Sequence, residues 1–213
     1  MDGEACIFAA HNILYNIACC FKKQLQKPSN DKNTTLGGHG MSHITLGALI
    51  LAGGQNRRMG GSPKALLPNG SGALILDGLR AAFAGFDEKL LSTNTPELAA
   101  ALSACQSDGL VVAACDMPCF DRAAAEFLAS FADQGWPAWA LRDRAGRLHP
   151  LCGVYTKQCL PAIQAALAAG EHRVGRLFQS VGGQAISLEG TSLPDAVVCN
   201  VNTPEELKEL LQS

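Results

Sequence analysis

Between positions 51 and 64 the chain reads Leu51-Ala52-Gly53-Gly54-Gln55-Asn56-Arg57-Arg58-Met59-Gly60-Gly61-Ser62-Pro63-Lys64. Four glycines let backbone N–H groups approach an anion closely, and Arg57, Arg58 and Lys64 add three positive charges. No acidic residue occurs from Ala52 to Leu76, so this stretch is locally cationic within a chain of formal charge −2. A bound triphosphate requires such a field. The loop is not G-x-x-x-x-G-K-[ST], because Lys64 lies between Pro63 and Ala65 and no hydroxyl follows it for a metal; nor is it G-x-G-x-x-G. The plain alternative is a glycine-rich surface turn with solvated arginines.

Other polar residues stand where chemistry could use them. Asp116 follows the apolar run Leu110 to Cys115. A lone carboxylate there is costly to bury unless it is paired, hydrogen-bonded or metal-bound. Mg²⁺ is satisfied by one or two carboxylates plus phosphate oxygens and water, so Asp116 is a candidate magnesium ligand; its alternative role is to cap the following turn. Asn200 and Asn202 alternate about Val201, which on an extended segment turns both amides to one side as neutral ligands. The alternative is a polar strand end leading into a Thr203 cap. His149 could contact a substrate or hydrogen-bond within a hairpin. Arg173 and Arg176 lie one helical turn apart and offer a second anion contact, or a solvated face. No general base or covalent nucleophile is evident, so the chemistry indicated is phosphoryl or nucleotidyl transfer by positioning and charge neutralisation.

These residues need a scaffold, and the pattern supplies one. With 213 residues, 47% hydrophobic and 17% charged, the chain can bury a sizeable core. Seventeen basic against 19 acidic residues give no global field for nucleic-acid binding. Nine cysteines, an odd number without a C-x-x-C pair, signal neither a disulfide framework nor a zinc site, and a reducing cytoplasm is the simplest reading. Strands are expected at 44–51, 89–92, 110–115, 136–141, 148–155, 184–188 and 196–201, and helices at 73–83, 98–105, 123–132, 160–169, 174–181 and 204–211. Asp121, Thr95-Pro96 and the Thr203-Pro204-Glu205-Glu206 box mark three helix starts, and the charged turn 142–147 with Gly146 suggests a hairpin. This alternation favours an α/β, three-layer αβα sandwich with a mostly parallel sheet and ligand loops at the carboxyl ends of its strands. Residues 1–40 differ in texture and read as a flexible leader, with no export signal and no membrane span; 41–213 are taken as one domain.

The loop closely resembles the signature of nucleotidyltransferases of the molybdenum cofactor guanylyltransferase type, which share L-A-G-G, an arginine pair with M-G, and a downstream Lys. Further segments match in chain order: Cys115-Asp116-Met117-Pro118, His149-Pro150, Gly170-Glu171-His172-Arg173-Val174, and Asn200-Val201-Asn202-Thr203-Pro204-Glu205-Glu206-Leu207. The resemblance covers about all of 44–211 and leaves the leader unmatched. It implies the Rossmann-like fold of nucleotide-diphospho-sugar transferases and transfer of GMP from GTP to the molybdopterin cofactor, with release of pyrophosphate. Leu51, Ala52, Gly53, Gly54, Lys64, Ser92 and Asp116 would then bind the nucleotide. Arg58 and Lys64 would offset phosphate charge, Asp116 would hold Mg²⁺, and His149, Arg173, Asn200 and Asn202 would serve the second substrate. Cofactor-carrier proteins or molybdoenzymes are the implied protein partners, with no role for nucleic acid or membrane. One departure is visible: the family normally carries an acidic residue and a G-P-L-A-G-like turn before the C-D-x-P strand, framing the base, and Ser92 stands where Asn is common. Here one helix joins Ser92 to Gly109. Alternatives are therefore another nucleotidyl transfer in the same fold, cytidylyl transfer to the same cofactor or transfer to a sugar phosphate, and an inactive relative that docks to cofactor proteins.

Overall fold

Strands β1 (Leu46–Leu51), β2 (Lys89–Ser92) and β3 (Gly109–Ala114) run parallel, with β1 between the other two. The computed structural model describes residues 43–52, 64–69, 72–92 and 97–212. Residues 1–40, loop residues Gly53, Gly54, Arg57 and Arg58, and the Thr95-Pro96 cap lie outside the described residues. Strand β5 (Leu148–Thr156) pairs antiparallel with both β3 and β4 (Ala138–Arg142), and β6 (Gln184–Ser187) closes the far edge parallel to β4. The order β2-β1-β3-β5-β4-β6 thus has five strands pointing one way and one reversed.

Alternate residues of the strands face opposite layers. Ile50, Val111, Ala113, Leu141 and Val154 pack with α1 (Ile75–Ala82), α3 (Arg122–Ala129) and Leu207 of α6 (Pro204–Leu210). Leu49, Leu51, Leu110, Val112 and Tyr155 pack with α2 (Glu97–Ala104), α4 (Leu160–Ala168) and α5 (Val174–Ser180). Burial on both faces explains why β1 and β3 read as unbroken apolar runs rather than alternating ones. The expected caps form: Asp121 Oδ1 accepts the Ala124 N–H at 2.8 Å, and Thr203 Oγ1 accepts that of Glu206 at 3.1 Å.

The reversed strand depends on close contact. A Cβ on Gly153 would stand 2.4 Å from the Trp139 carbonyl oxygen, beside the register shift between Ala140 and Leu141. Only glycine fits a bulged strand at that approach. The β4–β5 turn forms as expected, with Gly146 at φ +85° and its N–H donating to the Asp143 carbonyl.

One expected strand is corrected. Residues 196–201 do not join the sheet: Asp195–Val198 is a 3₁₀ turn, followed by a segment that crosses above the strand ends. The Cys199 N–H donates to the Ala196 carbonyl, and the turn sends both Val197 and Val198 into the core at 1% exposure. Burial that a strand would provide on alternate residues is achieved here by adjacent ones, so a β-branched pair misleads.

Candidate functional site at the carboxyl ends of the strands

The helices that follow β1 and β2 pack on opposite faces, α1 on one and α2 on the other, and in such sheets ligands bind beyond the strand ends at a switch of this kind. The rim is stitched across three strands. The Ala52 N–H donates to the Ser92 carbonyl at 2.8 Å, and the Cys115 N–H to that of Leu51 at 2.9 Å. Leu51 and Ala52 are buried, so they offer backbone rather than side-chain chemistry.

Asp116 begins immediately beyond β3. Its Oδ1 is buried and finds no hydrogen-bond partner among the described residues. Burial raises the carboxyl above its ordinary range, while the Lys64 charge and its own backbone N–H pull it down less strongly. A capping aspartate would have spent that oxygen on a neighbouring N–H, so the turn-cap alternative fails for Oδ1. An orphaned, buried carboxylate oxygen beside an ammonium suits a hard cation with phosphate ligands. Among the described residues no cluster of three or more His, Cys, Asp or Glu could form a protein-only metal cage.

Lys64 opens a 3₁₀ turn, Lys64–Leu66, on the far side of the loop. Its Nζ donates to the Val201 carbonyl at 2.8 Å and to Asn202 Oδ1 at 3.2 Å. The Val201 N–H in turn donates to the Asp116 backbone carbonyl at 2.7 Å, and the Asn202 N–H to Glu206 Oε2 at 2.6 Å. Lys64, Asp116 and Asn202, separated by up to 138 residues, therefore meet at one place. Asn200 lies nearby in sequence, but no strand aligns its amide with that of Asn202.

His149 and Arg173 are each engaged by a carboxylate. His149 is buried at 6% exposure with Nε2 2.9 Å from Asp143 Oδ2, and the Arg147 N–H donates to Asp143 Oδ1 at 2.8 Å. The His149 bond holds Asp143 below the ordinary carboxylate range, so the hairpin reading describes the contact that His149 makes. Arg173 stands at the first position before α5 without a side-chain capping bond, and grips Glu171 through Nε and Nη2, both at 2.8 Å; Arg176 shares that carboxylate at 3.4 Å. Arg173, hydrogen-bonding through side chain and backbone, lowers Glu171 to about 2. Asp143 and Glu171 were not singled out from sequence. A turn separates Asp143 from His149, whereas Glu171 lies only two positions before Arg173, and the sequence signal is a charged residue near a loop glycine, Gly146 or Gly170.

Sequence comparison gives a coherent set of relatives. A family model described as MobA-like NTP transferase domain matches residues 48–102 and 97–185. A molybdenum cofactor guanylyltransferase of Cereibacter sphaeroides is 34% identical over 192 positions, covering 77% of this chain and 94% of the relative. One from Pseudomonas putida is 29% identical over 185, covering 76% and 95%. Among solved structures, molybdopterin-guanine dinucleotide biosynthesis protein A from Archaeoglobus fulgidus superposes with a TM-score of 0.65 at 18% identity, covering 79% of this chain and 97% of its own. A 2-C-methyl-D-erythritol 4-phosphate cytidylyltransferase from Thermus thermophilus reaches 0.55 at 17%, covering 78% and 95%. The two family segments overlap at 97–102, within α2, and the Cereibacter alignment is longer than the part of this chain it takes in, so that relative has residues with no counterpart here. Among the described residues no helix is long and apolar enough to cross a membrane.

Proposed function

Because the chain belongs to the MobA-like NTP transferase family, we propose that this nucleotidyltransferase of molybdenum cofactor biosynthesis moves GMP from GTP to the molybdopterin cofactor and releases pyrophosphate. The observation that carries the reading is the buried, unpartnered Oδ1 of Asp116 at the carboxyl end of β3, within the field of Lys64. Asp116 is the residue that would hold Mg²⁺, an ion that supplies charge neutralisation to phosphate oxygens. Gly53 and Gly54 admit the phosphates, with Leu51, Ala52 and Ser92 forming the rim, and Arg58 and Lys64 offset the negative charge that grows during transfer. His149, Arg173, Asn200 and Asn202 serve the acceptor side. The acceptor's terminal phosphate is anionic at neutral pH and needs no general base, in keeping with a site where His149 is already engaged by Asp143. The working unit is residues 41–213, acting in the cytoplasm on a cofactor passed among carrier proteins and molybdoenzymes.

The test is direct. Purified protein incubated with GTP, Mg²⁺ and molybdopterin cofactor should release pyrophosphate and form the guanine dinucleotide product, and chelation of the metal should stop it. Absence of both products from well-folded protein would refute the reading. The discontinuity falls at α2, the helix that follows β2, and favours one second reading, a different base preference. Repeating the assay with CTP, ATP and UTP decides between them.

A further inference from the structure

The proposed transfer asks Lys64 for charge on the nucleotide side, yet in the structure its ammonium is directed to the C-terminal segment. Nζ lies 2.8 Å from the Val201 carbonyl oxygen and 3.2 Å from Asn202 Oδ1. An ammonium can only donate, so the amide must turn its oxygen toward Lys64, and its NH₂ group then points away. That orientation converts Asn202 from an ambiguous amide into a two-proton donor. The backbone around it is pinned independently, by Val201 N–H on the Asp116 carbonyl and Asn202 N–H on Glu206. Lys64 is the described contact that sets the side chain's direction.

We propose that Lys64 is a positioning residue for the second substrate: by holding Asn202 Oδ1 it presents the Asn202 N–H donors to an anionic or carbonyl-bearing acceptor, so one residue governs affinity on both sides of the cleft. This rests on the transfer reading above, in which Asn202 faces the acceptor. An ammonium has three donors, and two are used here, leaving one for a phosphate oxygen. Nucleotide and acceptor sites are thereby joined through a single side chain rather than through a domain movement.

The experiment measures equilibrium binding of molybdopterin cofactor to the full chain with no nucleotide present, comparing wild type, Lys64→Met, Asn202→Ala and the double variant. Lys64→Met should weaken acceptor binding about tenfold, the scale of one charge-assisted contact. Asn202→Ala should do the same, and the double variant should be no weaker than Asn202→Ala alone. Lys64→Met should also raise the KM for GTP whichever residue occupies position 202. Asn202→Asp keeps oxygens for Lys64 but removes the donors; it should retain the wild-type thermal midpoint while losing acceptor affinity. Unchanged acceptor binding in Lys64→Met, or fully additive losses in the double variant, overturns the proposal while leaving wild-type turnover intact. Failure of wild-type protein to bind the acceptor or to release pyrophosphate from any nucleotide overturns the functional reading and this inference with it.

Discussion

Asp116 and the two carboxylates at the amino end of the sheet are treated in opposite ways. At the amino end, Glu88 accepts from the Gln106 N–H at 2.8 Å and from the Ser107 N–H and hydroxyl at 2.9 and 2.6 Å. Asp108 accepts the Thr45 N–H and hydroxyl at 2.8 and 2.7 Å. Burial alone would raise Glu88, but the Ser107 and Gln106 bonds and the Lys157 charge outweigh it and hold the group low; Asp108 is lowered mainly by Thr45. At the carboxyl end, Asp116 has an oxygen left over and is raised. A carboxylate whose lone pairs are filled by neighbouring N–H groups closes the fold, whereas one left unfilled at a cost is a candidate ligand group.

The largest way to break this contrast is Asp116→Ala, which should lower turnover about a thousandfold or more, the scale of removing charge stabilisation in a transferring site. The isosteric Asp116→Asn should be no less stable than wild type at neutral pH. The sign follows from linkage: a carboxyl raised in the folded state binds protons that the unfolded chain has lost, so stability falls as pH rises from the ordinary carboxylate value through the raised one. Denaturant midpoints across that range should show the fall in wild type and lose this contribution in Asp116→Asn.

Gly153→Ala tests the layer between the ends. Overpacking against the Trp139 carbonyl should cost about 2–3 kcal/mol, read as a lower unfolding midpoint. At the amino end, Glu88→Gln should cost about 1 kcal/mol and leave pyrophosphate release unchanged. Its pH signature is opposite to that of Asp116. The contribution of a lowered carboxylate is present above the unfolded value and is lost as pH falls through the folded one, so Glu88→Gln should flatten acid destabilisation. The smallest effect is expected from Glu171→Gln. Glu171 sits at the carboxyl end but is filled by Arg173 and Arg176, so by the same criterion turnover should change only severalfold, through the acceptor KM.

Much of the scaffold was legible because its signals are local. Lys89–Ser92 matches its expected bounds, the hairpin follows from the turn around Gly146, and Asp121 and Thr203 cap as their types predict. Asp116 was legible for the converse reason: a charge after an apolar run is costly enough to demand an explanation. What escaped were choices made by tertiary contacts. Val197 and Val198 have strand propensity, but β6 already ends the sheet and a 3₁₀ turn buries both. The partnership of Lys64 with Asn202 bridges 138 positions, and no periodicity reaches so far. Likewise Asp143 acquires meaning only when the 144–146 turn brings His149 back onto it, and Glu171 only when the segment before α5 folds its carboxylate against the Arg173 guanidinium.

The hydrogen bond from Val201 to Asp116 has a consequence for how the protein is made. All six strands are encoded before residue 188, while the segment that completes the cleft lies beyond residue 198. Synthesis therefore finishes the strands first and the segment that reaches Asp116 last, and removal of the residues from Asn202 onward would also take away Leu207 of α6 and its share of the core.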